Sequence, residues 1–191
     1  MASADGGLAA TLYGPCEVTT KVGDVVVRLR EETDYPFRNT IAVTVNPARA
    51  HAFPIRLRIP AWVVKATVAV NGKAEREPTP GSFARLERTW RPGDRIEILF
   101  ESRPRAVPGL DGSTSFEAGP LVFALPIEEK WTKLRQRGLT ADWEVKPVGD
   151  WAYAVAPDAP LERLERPIGP VPFSRRQPPV VLVTQAQPVA N

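Results

Sequence analysis

Apolar and polar residues alternate along several short stretches of the chain. Ile55, Leu57 and Ile59 alternate with Arg56 and Arg58, so one face of that stretch is apolar and the other solvated. Ala66, Val68 and Val70 repeat the pattern, and Ile96, Ile98 and Phe100 repeat it against Arg95 and Glu97. Upstream, Val25, Val27 and Leu29 face in while Arg28 and Arg30 face out, and Ile41, Val43 and Val45 alternate with Ala42, Thr44 and Asn46. Leu8–Tyr13, which Cys16–Thr20 continues, and Ser82–Arg88 complete about seven strands before Pro104, a usual number for an antiparallel β-sandwich.

The punctuation agrees. Asn71-Gly72 is a two-residue hairpin signal, because a type I′ turn needs positive φ at both central positions. Pro92-Gly93 suits a type II turn. Pro60 cannot donate to a ladder, so the strand before it ends there or lies on an edge. Trp62 and Trp90 are anchors that fill the sandwich, and their indole N–H groups then need partners.

Arg103–Ser115 is rich in Pro, Gly and polar residues and marks a boundary. This predicts a β-sandwich domain over 8–104 and a second, smaller β-rich domain over 105–191. In the second, Leu121–Leu125 is an apolar run expected to be a buried strand. Ile127–Arg137 is predicted to be one short helix: Ile127, Trp131 and Leu134 share a face at helical spacing. Glu128 and Glu129 lie early, Arg135 and Arg137 late, and Gly138 follows as a C-cap. Trp143–Lys146, Trp151–Val155 and Val180–Thr184 are further strand candidates, and the tail after Pro167 reads as irregular.

Composition narrows the function classes. The 25 basic and 22 acidic residues leave a net charge of +3, small and dispersed, which gives no footprint for nucleic acid or a membrane surface. Cys16 is the single cysteine, so an intrachain disulfide and a cysteine-rich metal site are excluded. With no recognisable signal peptide at the start, the cytoplasm is the expected compartment.

Candidate chemistry is sparse. Glu31, Glu32 and Asp34 could supply paired carboxylates for glycoside cleavage. Neighbours on a strand end have no imposed catalytic separation, so a solvated strand end is the favoured reading. His51 is the only histidine, and it falls in what reads as an exposed loop with no Gly-x-Ser-x-Gly elbow in the chain. Cys16 follows Gly14-Pro15 at a strand start and reads as an ordinary semi-buried residue. Trp62, Trp90, Trp131, Trp143 and Trp151 could stack on sugar rings, but core or interdomain anchoring is favoured.

Several motifs occur in one order: Leu12-Tyr13-Gly14-Pro15, Glu32–Phe37, Leu57-Arg58-Ile59-Pro60-Ala61-Trp62, Val70-Asn71-Gly72 and Trp90 with Gly93-Asp94. Gly119–Phe123, Trp143-Glu144-Val145 and Trp151-Ala152-Tyr153 follow. On these the chain resembles the region after the catalytic barrel in glycoside hydrolase family 127, the β-L-arabinofuranosidase-like enzymes, over Leu8–Val183. The resemblance implies that the chemistry lies in an (α/α)6 barrel, with a cysteine nucleophile, a glutamate and a zinc held by cysteines and glutamate. No residue of this chain matches those motifs, so no catalytic, cofactor or metal residue is assigned, and Cys16 matches neither nucleophile nor ligand. The expected function is a non-catalytic sandwich that packs on and stabilises the barrel of an enzyme hydrolysing terminal β-L-arabinofuranosides or related sugars. A stand-alone carbohydrate-binding sandwich is the alternative, and a hydrolase built on the acidic cluster near Asp34 is a third reading.

Overall fold

The computed structural model describes residues 1–189 and contains strands only; no helix occurs among those residues, hence none long and apolar enough to cross a membrane. Two compact units emerge: Met1–Arg103 with Ala118–Leu121, and Pro104–Glu117 with Val122 onward.

The first unit is a sandwich. Its strands are β1 (Leu8–Ala10), β2 (Cys16–Val22), β3 (Val25–Thr33), β4 (Thr40–Pro47), β5 (His51–Arg58), β6 (Lys65–Val70), β7 (Lys73–Ala74), β8 (Phe83–Trp90) and β9 (Asp94–Glu101). Six form one antiparallel sheet in the order β2-β3-β4-β9-β6-β7, and three form a second in the order β1-β5-β8, where β1 runs parallel to β5. Because side chains alternate across a strand, the inward series Val25, Val27; Ile41, Val43, Val45; Val68, Val70; and Ile96, Ile98, Phe100 meets Phe53, Ile55, Leu57, Leu86 and Trp90 in a single core.

The turns obey the chemistry of their residues. Asn71 and Gly72 have φ of 51° and 75°, as a type I′ turn requires. Gly93 has φ of 89°, and Asp94 N–H closes the turn onto Arg91 O at 3.1 Å. These two turns are tied together: Asn71 Nδ2 donates to Asp94 Oδ1 and Arg95 N donates to Asn71 Oδ1, each at 2.8 Å. β5 stops at Arg58, two residues short of Pro60. Trp90 is fully buried, and its indole N–H donates to Phe53 O at 2.9 Å. Gly7 leads into β1 so close to Pro54 that a Cβ there would overlap the Pro54 carbonyl and ring.

The second unit holds β10 (Pro104–Pro108), β11 (Thr114–Ala118), β12 (Leu121–Phe123), β13 (Glu129–Arg137), β14 (Thr140–Pro147), β15 (Tyr153–Val155), β16 (Glu162–Glu165), β17 (Val180–Val183) and β18 (Ala186–Pro188), with β11 and β12 each crossing the division. They form the sheets β10-β11-β12, β13-β14, β15-β18 and β16-β17.

Here two expectations fail. Residues 127–137 are not a helix: Glu129–Arg137 pairs with Thr140–Pro147 as a hairpin. The register steps by one between Lys133 and Arg135, leaving Leu134 as the extra residue of a bulge. That inserted residue places Trp131 and Leu134 three apart and imitates a helical period. Gly138 is not a C-cap; it takes φ of 58° as the first of two residues between Arg137 and Thr140, the place where a type II′ turn demands glycine. The apolar run 121–125 is not a buried strand either, since Val122 and Leu125 are exposed.

Candidate functional site

The acidic group of β3 splits by strand parity. Glu32 points outward with Arg30 (3.1 Å) and Arg95 (3.7 Å), in a ladder of exposed ion pairs that also joins Arg28 to Glu17. Glu31 points inward and is only 9% exposed, which corrects the reading of a solvated strand end. Its phase was available in the sequence, because it continues the inward series Val25, Val27, Leu29 by two residues. Oε1 of Glu31 accepts from Gly14 N at 2.6 Å, and burial pushes its carboxyl pKa up. Asp34 caps a turn instead: its carbonyl accepts from Phe37 N and Arg38 N, around a cis Tyr35–Pro36 peptide. Glu31 and Glu32 therefore work on opposite faces and do not form a catalytic pair.

His51 is not in a loop. It is the first residue of β5, half-buried, with its ring 5.7 Å from that of Phe53. Cys16 is exposed, not semi-buried, and lies directly opposite Glu31 in the β2–β3 ladder. Desolvation, then the Glu31 charge, raise its thiol pKa, the opposite of what an activated nucleophile needs. Glu129 is no helix N-terminal charge: it accepts from Trp131 Nε1 at 2.9 Å and pairs with Arg175 at 2.7 Å. Among the described residues no group of three or more His, Cys, Asp or Glu side chains could hold a metal ion, so the residues present do not fit the zinc that the resemblance places in the barrel.

Two features remain where function could reside. The first is an open margin of the sandwich. Between β1 and β2 lies a groove of about 300 Å³, walled by residues such as Ala10, Leu12, Val18, Leu29, Ile55 and Leu57, with Cys16 and Glu31 among its lining. Beside it the Tyr13, Tyr35, Trp62 and Arg58 motifs converge. Tyr13 OH donates to Arg58 O at 2.7 Å, and the Tyr13 ring stands edge-on to Tyr35 (6.1 Å) and Phe100 (5.7 Å). Trp62 stands edge-on to Phe100 at 5.7 Å and is half-buried. These aromatic motifs brace the sandwich end and carry no visible reaction centre.

The second feature is the apolar surface of the second unit. Of its described residues only Pro179 and Val180 are buried. Trp131, Trp143 and Trp151 are 57%, 48% and 50% exposed, so of the expected core or interdomain anchoring, the core part does not hold for these three. Trp131 and Trp143 lie on one face of the β13–β14 hairpin with Val145, their rings 6.2 Å apart at 73°, and Lys133 lies 5.4 Å from the Trp143 ring centre. Contiguous exposed apolar surface is a recurrent feature of protein contact faces.

A family description, "Beta-L-arabinofuranosidase, GH127 middle domain", matches residues 7–102. Among solved structures, the chain is similar to a protein described as a glycoside hydrolase, with 25% identity and a TM-score of 0.61 over 84% of this chain and 26% of that one. It is similar to a GH127 β-L-arabinofuranosidase from Geobacillus stearothermophilus T6, with 22% identity and a TM-score of 0.58 over 96% and 31% of the two chains. A further GH127 β-arabinofuranosidase gives 19%, 0.53, 93% and 30% in the same order. The chain thus spans 26–31% of the length of these relatives. No curated protein matches it.

Proposed function

The chain belongs to glycoside hydrolase family 127, whose middle domain its residues 7–102 match, and from that premise we propose that it is the non-catalytic sandwich region of such an enzyme. In this reading it packs on the catalytic domain and stabilises it, and the parent activity is hydrolysis of terminal β-L-arabinofuranosides or related sugars. Residues 8–104 act as one domain and 105–191 as a second, smaller one. The observation that carries the packing role is the exposed apolar face of the β13–β14 hairpin in a unit with almost no buried side chain. A unit of that kind cannot offset its own chain entropy and draws its stability from a partner surface.

The test has two parts. The purified chain should turn over no aryl β-L-arabinofuranoside, and joining it to the family's catalytic domain in one polypeptide should bury the hairpin tryptophans, seen as a blue shift and reduced quenching of their fluorescence. Turnover by the chain alone, or tryptophans equally accessible in both forms, would refute it.

The second reading is a free-standing carbohydrate-binding module using Trp131 and Trp143. Their exposure favours it, but rings at 73° offer two separate faces and no shared platform for successive sugars.

A further inference from the structure

Glu31, on the inward face of the six-stranded sheet, is the one buried charged residue among the described residues. The strands around it carry Val27, Leu29, Val43 and Val45 on that face, while the sheet's arginines, Arg28, Arg30 and Arg95, lie outside with Glu17, Glu32 and Glu97. A single backbone N–H, from Gly14, reaches its Oε1, and no lysine or arginine among the described residues pairs with it. A desolvated carboxylate is costly without a countercharge and further hydrogen bonds. The remaining carboxylate valence borders a groove of about 300 Å³ with apolar walls.

We propose that this groove receives the side chain of a lysine or arginine, whose aliphatic stem lies along Leu12, Val18, Leu29 and Leu57 and whose cationic head pairs with Glu31. Such side chains bury a hydrocarbon stem and carry the charge at its tip, which is the shape and polarity of this groove. An arginine fits best, because its planar fork can meet a carboxylate through more than one hydrogen bond. The occupant is carried by the catalytic domain; this clause rests on the function proposed above. Exposed Leu12 and Val18 at the groove mouth are then covered by the segment that bears the cation.

Cys16, the only cysteine, lines the groove opposite Glu31 and reports its occupancy. The experiment follows Cys16 alkylation by iodoacetamide in the 191-residue chain, with n-butylguanidinium as the probe and n-butanol as its uncharged counterpart, at constant ionic strength. At a probe concentration about twice its Kd, alkylation should slow about threefold. n-Butanol should protect less, and the charge-dependent protection should vanish in Glu31→Gln, which keeps the acceptor for Gly14 N–H. The ratio with and without probe is taken within each variant, so the effect of the substitution itself on the thiolate fraction cancels. As a second readout, the probe should move the Glu31 carboxyl carbon resonance in a titration toward lower apparent pKa. Equal protection by both compounds in wild type and Glu31→Gln, or protection by neither, overturns the proposal. The source of the cation is tested in the polypeptide that includes the catalytic domain, where Cys16 should become unreactive. If the hairpin tryptophans are covered there while Cys16 stays reactive, this inference fails and the packing role stands; if neither is covered, the packing role itself fails.

Discussion

Trp90→Phe tests the sandwich core at its most informative position. The ring is fully buried and lies against Phe53 at 6.3 Å, and its N–H donates to Phe53 O at 2.9 Å. Phenylalanine removes that donor and leaves the space of the smaller indole ring. The lost bond costs about 1–3 kcal/mol, depending on whether the carbonyl finds another partner. Incomplete collapse around the smaller side chain adds about 1 kcal/mol. The sum, about 2–4 kcal/mol, corresponds to about 30- to 700-fold in the unfolding equilibrium. Native-state amide exchange at Val43, Val45 and Ile98 should read this, since buried central strands such as β4 and β9 are expected to open with the whole unit. Trp62→Phe is the control: that ring is half-buried and edge-on to Phe100, so its loss should cost about 1 kcal/mol or less. Equal effects of the two substitutions, or a Trp90→Phe effect below about 0.5 kcal/mol, would refute the claim that Trp90 centres the core.

Further expectations follow from single residues. Glu31 has its folded pKa raised by burial, so its contribution favours the fold below the ordinary carboxyl range and is lost as pH rises through the raised value; urea unfolding against pH should show that fall in wild type and not in Glu31→Gln. Asp5 has the opposite sign: hydrogen bonds from Arg56, then Ser3, with Arg85, hold its carboxyl well below the usual range. Its contribution is present above the ordinary carboxyl pKa and fades as pH falls through the lowered value, and Asp5→Asn should remove that acid-side loss. Asn71→Asp replaces the Nδ2 donor to Asp94 by a second carboxylate, and should lower the urea midpoint by the equivalent of about 1–2 kcal/mol near neutral pH and less in acid. Gly138→Val forces a β-branched side chain into φ of 58°; chemical-shift secondary structure should show the β13–β14 hairpin lost while β4 and β9 keep their signals.

How far the fold could be read depended on whether each segment finds its partners within the chain. Val25–Leu29, Ile55–Ile59, Ala66–Val70 and Ile96–Phe100 bury one face inside the sandwich, so their alternation stated their structure. Asn71-Gly72 and Pro92-Gly93 set local backbone angles and needed no tertiary context. Glu31 was misjudged because its charge outweighed its phase, although Val25, Val27 and Leu29 had already fixed which way it points. Cys16, read as semi-buried, could have been placed opposite Glu31 from the same register, counted back through Gly23-Asp24. Residues 127–137 misled because a bulge at Leu134 erased the period of two. The exposed Trp131 and Trp143 were invisible as surface, since nothing in an apolar residue states whether its cover comes from this chain or another.

On the proposed function, residues beyond the sandwich are held by the catalytic domain and take no part in chemistry of their own. Amide exchange across Glu129–Arg137 and Thr140–Pro147, in the chain alone and in the polypeptide joined to the catalytic domain, tests it most directly. The hairpin should open far more readily than β4 and β9 in the chain alone, and its protection should rise by at least about tenfold in the joined protein. Hairpin protection equal to that of β4 and β9 in the chain alone, unchanged by the added domain, would contradict it.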